Sequence, residues 1–106
     1  MLMFIWGLPL DKSEADKIRS KIISELFPSE LWIKLENSTG GITWLVSREM
    51  PVYVMVTDHP DLPINTGLRI SLHTLCNLEW SIVSCFIDYI NQVVEKYKGW
   101  FEGCET

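Results

Sequence analysis

His59 lies between two carboxylates in the stretch Asp58-His59-Pro60-Asp61. An imidazole close to two carboxylates can hold a metal ion or exchange protons during hydrolysis. The prolines at 60 and 63 instead favour an ordered turn whose polar side chains simply face water. The sequence therefore predicts no metal site here, and a small hydrolase or nuclease that uses Asp58, His59 and Asp61 is only the third functional hypothesis.

Other chemistry-bearing residues give no stronger signal. A nucleophilic cysteine–histidine pair would require Cys76 or Cys85 to meet His73, and no local signature surrounds these residues. Gly40-Gly41 lacks the spacing of a phosphate-binding loop. We therefore expect a non-enzymatic protein without a cofactor.

The cysteine count and the absence of long apolar runs indicate which cellular compartment the protein occupies. Three cysteines without C-x-x-C spacing favour reduced thiols over a disulfide framework, with Cys85 in a helix core and Cys104 exposed. Residues 1–6 are apolar but do not resemble a signal peptide. No apolar run approaches the roughly 20 residues that span a bilayer. These features predict a cytoplasmic protein without a membrane segment.

Length and composition predict one folded domain over residues 1–106. The chain is 47% hydrophobic and 22% charged, which is ordinary for a globular protein. Its net charge of −5 disfavours nucleic-acid binding, because phosphate backbones require a positive protein surface. An acidic protein is compatible with a basic protein partner.

Hydrophobic periodicity predicts the elements. Spacings of three and four residues predict an amphipathic helix over 11–27, which Asp11 caps and Pro28 ends, and a long one over 78–101. Period-two alternation predicts strands over residues 31–36, 42–47, 52–57 and 68–73. The predicted fold is α+β: an antiparallel four-stranded meander, or five-stranded with an N-terminal strand, in a two-layer sandwich with two helices.

Residues 42–56 are apolar on both alternating faces, whereas a half-solvated sheet normally has one polar face. A four-residue loop at 37–40 and a three-residue loop at 48–50 would give the core one apolar set. These registers predict a second apolar row on the face away from the core, formed by Trp32, Leu45, Tyr53 and Met55. Its predicted polar rim is Lys34, Glu36, Arg69 and His73.

Three occupants could cover this row. Residues 2–6 could fold over it or join the sheet, a protein partner could dock on it, or two copies of the chain could associate through it. Large aromatic side chains such as Trp32 and Tyr53 are typical anchors of protein interfaces. Partner binding is therefore predicted for Trp32, Leu45, Tyr53, Met55, Lys34 and Glu36, in a monomer or a homodimer.

The leading hypothesis is a small acidic inhibitor or immunity-type protein, resembling an antitoxin in role, that neutralises one protein partner through a sheet face or edge. The second hypothesis is a homodimeric chaperone or adaptor for a secreted or assembled partner, which could add a strand at a free sheet edge.

Overall fold

The computed structural model describes residues 1–36, 41–58, 62 and 66–106. It contains two helices and six strands, which confirms the α+β class. In chain order these are β1 (Met3–Leu8), α1 (Lys12–Leu26), β2 (Trp32–Glu36), β3 (Ile42–Ser47), β4 (Val52–Thr57), β5 (Leu68–Thr74), α2 (Trp80–Lys96) and β6 (Trp100–Glu105).

The strands form one open sheet in the order β2-β3-β4-β5-β1-β6, and every recorded pairing is antiparallel. The predicted meander is present as β2 to β5, but four or five strands was an undercount. Residues 2–6 do not fold over the sheet. They contribute most of β1, which lies between β5 and β6.

Both helices occupy the same side of the sheet. The buried helical side chains Ile22, Ile23, Leu26, Val83, Ile90 and Val94 belong to one core cluster together with alternate residues of β1 to β5. Trp6 is fully buried in this layer, and its indole Nε1 donates a hydrogen bond of 2.7 Å to Asn91 Oδ1 on α2. The indole Nε1 is the only polar atom of this fully buried side chain, and the bond to Asn91 satisfies it.

The prediction of a helix that continues to residue 101 was wrong. The N–H of Gly99 donates to the Val94 carbonyl and that of Lys98 to the Glu95 carbonyl, while Lys98 has a φ of 58°. This is a Schellman helix end, with Lys98 in the left-handed position. A Cβ at Gly99 would lie 2.6 Å from the Gly7 carbonyl oxygen, so glycine lets the chain turn tightly into β6.

The predicted register between β3 and β4 was also wrong. Leu45 pairs with Val54 and Trp44 with Met55, so residues 48–51 form a four-residue connection rather than the predicted three. Ser47 Oγ accepts hydrogen bonds from the N–H groups of Glu49 and Met50, and Pro51 has no N–H to offer a ladder. The turn therefore includes Pro51.

The residues of β4 keep their predicted faces, and the extra residue in the turn reverses which residues of β3 share the core with them. Val54 and the other even-numbered residues of β4 share the core with Leu45, whereas the odd-numbered residues lie on the other face with Trp44. Between β2 and β3, Leu35 and Trp44 share a face as predicted, although the register is displaced by two residues and that face is not the core. The predicted loop at 37–40 lies outside the described residues.

Val54 and Val46 provide a matched test of which face is the core. We expect Val54→Ala, at a fully buried position, to lower the free energy of unfolding by about 2–3 kcal/mol. Val46→Ala, on the opposite face, should lower the free energy of unfolding by under about 1 kcal/mol. Both variants lose the same strand propensity, so the difference between them reports burial. Urea denaturation of the two variants measures the difference, and equal losses would contradict the assignment.

Candidate protein-binding surface

The face of the sheet opposite the helices is largely apolar, and we call it the open face. Two cross-strand rows make up its centre. The first row is Ile33, Val46, Tyr53, His73 and Met3. The second row is Leu35, Trp44, Met55, Ser71 and Ile5.

The core cluster includes no strand residue from this face, so the two helices do not cover it. Ile33 and Leu35 are 40% and 53% exposed at one end of the rows. Trp44, Tyr53 and Met55 are partly exposed between their strand neighbours. Within the described part of the chain, the open face has no covering layer.

Most polar side chains of the open face lie on β5 and β6. Tyr53 and His73 stack with ring centroids 4.3 Å apart and an interplanar angle of 4°. His73 Nε2 lies 2.9 Å from Ser71 Oγ. Burial lowers the pKa of His73 below its usual value of 6.5, because a charged imidazolium would lose hydration there. His73 is therefore a neutral, flat continuation of the aromatic surface at neutral pH.

The contact of Ser71 with His73 contains the residue types of a nucleophile and its base. Ser71 is only 2% exposed. The same hydrogen bond orients the imidazole plane against Tyr53, so it stabilises the shape of the open face.

One ion pair borders the open face on the β6 side. Arg69 Nη2 lies 3.2 Å from Glu102 Oε2, which neutralises the arginine. Glu102 and the indole of Trp100 both approach Gly7 so closely that a Cβ there would lie within 3.0 Å of each. The face therefore ends in a packed polar border, while its apolar centre continues to β2.

The structure places the predicted partner-binding residues on two different faces. Trp32 and Leu45 do not lie away from the core as predicted, because they are 6% and 0% exposed under the helices. Trp32 makes edge contacts with Phe27 and Phe86.

Tyr53 and Met55 do lie on the face away from the core, as predicted, and so do the rim residues Arg69 and His73. Lys34 and Glu36 lie instead on the helix side of the β2 edge, with Lys34 Nζ 3.5 Å from Glu36 Oε1. No observation tests the binding role of any of the six residues, so that role stays a prediction.

The sequence reasoning missed six apolar members of the open face. Met3 and Ile5 were left in an N-terminal segment whose position stayed open. The alternation of Ile33, Leu35, Trp44 and Val46 was recognised, but they were assigned to the core. The signal that could have corrected this is Ser47, since a serine at the start of a turn often bonds main-chain N–H groups two and three residues later. That pattern predicts a turn through Pro51.

Of the predicted Asp58-His59-Asp61 loop, only Asp58 belongs to the described residues. Its carboxylate lies 3.6 Å from Arg19 Nη1. Across the described ranges, no group of three or more metal-binding side chains forms a candidate metal centre.

The cysteines are all free and exposed. Exposure of Cys104 agrees with the prediction, whereas the placement of Cys85 in a helix core was wrong.

No protein-family model matches this chain, and no curated protein or solved structure matches it either. Among the residues that the structure describes, no helix is long and apolar enough to cross a membrane.

His73 predicts a pH dependence of stability. Its folded-state pKa is lowered, so on acidification below about 6.5 the unfolded chain binds this proton before the folded chain does. The free energy of unfolding should fall from about pH 7 to pH 5 more steeply in the wild type than in His73→Gln. The carboxylates are the same in both proteins and cancel in the comparison. Parallel curves from urea titrations at each pH would contradict this contribution.

Proposed function

We propose that this chain is a non-enzymatic protein-binding module that engages one protein partner through the open face. The observation that supports it is a sheet face with two apolar rows outside the core cluster. Trp44, Tyr53 and Met55 are the residue types that are enriched at the centres of protein interfaces. A side chain of this kind releases ordered water when a complementary surface covers it.

The dimensions of the open face fit such a role. Six strands about 4.8 Å apart, with a rise of about 3.3 Å per residue, give a face of roughly 500 Å² before side-chain relief is counted. Contiguous apolar patches on monomers rarely exceed a few hundred square ångströms. Each partner contributes roughly 800 Å² to a standard interface, so the border residues would have to take part in binding as well.

The charge of the chain favours a basic partner. The net charge of −5 would steer a positively charged protein toward this one. The centre of the open face contributes little to that charge, because His73 is neutral and Arg69 is paired with Glu102. Steering would then come from the acidic surroundings, and affinity from the apolar rows. An inhibitor or immunity-type protein that neutralises one partner is the function this combination supports best.

A homodimeric chaperone or adaptor is the second candidate. The observation that favours it is the edge strand β2 beside the open face, since no strand in the described part of the chain pairs with its outer side. The third hypothesis, a hydrolase or nuclease that uses Asp58, His59 and Asp61, has no support from a described residue and stays a prediction.

Trp44 and Trp80 offer a matched pair for the test. Trp80 is 63% exposed on α2, on the other side of the sheet. We expect Trp44→Ala to weaken binding of the captured partner by about thirtyfold, which corresponds to about 2 kcal/mol at an interface centre. Trp80→Ala should change it less than about threefold.

Affinity capture from the native cell extract identifies the partner, and calorimetric titration then compares the two variants with the wild type. Circular dichroism and urea denaturation establish that both variants are folded. Equal loss of affinity in both, or loss only in Trp80→Ala, would place the binding surface elsewhere.

A further inference from the structure

We propose that two copies of this chain associate through their β2 edges, in one antiparallel register that pairs Lys34 with Glu36 of the second copy. β2 is one edge of the sheet, and within the described chain no strand pairs with its outer side. It contains no proline and no bulge in its pairing with β3. Such an edge is a template for another strand.

The opposite edge of the sheet is different. β6 pairs with β1 through an irregular register between Ile5 and Trp6, and Gly103 has a φ of 152°. Bulges and twisted positions of this kind protect an edge from further pairing. β2 is therefore the edge that is suited to association.

Hydrogen bonds identify which main-chain groups of β2 are free to pair. The N–H of Arg48 donates to the Leu31 carbonyl at 2.9 Å, so Leu31 directs its carbonyl toward β3. Main-chain groups alternate between the two sides of a strand, which directs those of Ile33 and Leu35 toward β3 as well. The N–H and C=O groups of Lys34 and Glu36 consequently point outward.

A continuous sheet fixes the parity of the new pairing. Paired residues must point to the same face, so Lys34 can lie opposite Lys34, Glu36 or another even-numbered residue of the copy, but not opposite Leu35. A pairing centred on Leu35 puts Lys34 opposite Glu36 twice, once on each side of the two-fold axis. It also joins their outward main-chain groups through four hydrogen bonds.

The neighbouring allowed registers are unfavourable. A pairing centred on Lys34 puts two lysines opposite each other, and one centred on Glu36 does the same with two carboxylates. The Lys34-Leu35-Glu36 segment is therefore self-complementary about its leucine. This charge complementarity is the reason to assign the edge to a second copy rather than to another peptide.

Four of the five side chains of β2 are exposed, and they lie on both sides of the strand. On the helix side, a groove of about 650 Å³ between α1 and β2 includes Arg19, Ser24, Lys34 and Glu36 in its lining. On the other side, Leu35 is 53% exposed and would meet its counterpart across the axis. The open faces of the two copies would then form one continuous surface.

This inference does not rest on the proposed partner binding, because the edge and the open face are different surfaces. Charge reversal provides the test. Lys34→Glu and Glu36→Lys each put like charges opposite in the dimer, while the double variant Lys34→Glu/Glu36→Lys restores opposite charges. We expect each single variant to raise the dimer dissociation constant about tenfold and the double variant to return it to near the wild-type value.

Sedimentation equilibrium over about a hundredfold range of concentration measures the association of the 12.3 kDa chain. Lys34→Pro, which removes an outward N–H while leaving the β3 ladder intact, should abolish the dimer. A wild type that stays at the chain mass throughout would overturn the proposal. So would a dimer that the single variants do not weaken, or one that the double variant fails to restore. Capture of a partner that depends on Trp44 would survive any of these failures.

Discussion

The structure depends on one constraint: the sheet is apolar on both faces, and in the described part of the chain the helices cover one of them. Both helices lie on the side of Val54 and Leu45. Burial of that set removes apolar surface from water, which stabilises the fold by about 25 cal/mol for each Å² buried. The opposite set, which includes Trp44 and Tyr53, is also apolar, but the two helices do not cover it. The core and the candidate binding surface are therefore two consequences of one alternating pattern.

Strand and helix positions could be predicted from the sequence because they depend on local periodicity. The predicted strands over 42–47 and 52–57 coincide with β3 and β4. The register between them could not be predicted from hydrophobicity. Normally a one-residue slip exposes apolar side chains, and this cost selects the correct register. Here both sets are apolar, so the turn at Ser47 determines the pairing.

The C-terminal strand was missed for a related reason. Trp100 continues the three- and four-residue spacing of α2, so a helical stripe and a strand explain the same apolar residues. In the structure Phe101 packs 5.5 Å from Trp6 on the core side, while Trp100 approaches Gly7 on the other. Two adjacent aromatic residues on opposite faces are typical of a strand. The left-handed Lys98 before Gly99 is the local cause of the change, and lysine is an unusual residue at that position.

Lys34 and Glu36 show how a polar pair can both restrict and direct association. They occupy the helix side of β2 at the groove beside α1, where an apolar side chain would be expected in a central strand. An inward-pointing charge on an edge strand discourages strand addition, since most registers leave it unpaired or opposite a like charge. Lys34 and Glu36 have opposite charges and lie two positions apart. Every register therefore keeps this energetic penalty except the one that places Lys34 opposite Glu36. The same side chains that limit aggregation of an apolar sheet thus specify a single geometry for its edge, and this geometry extends the open face instead of covering it.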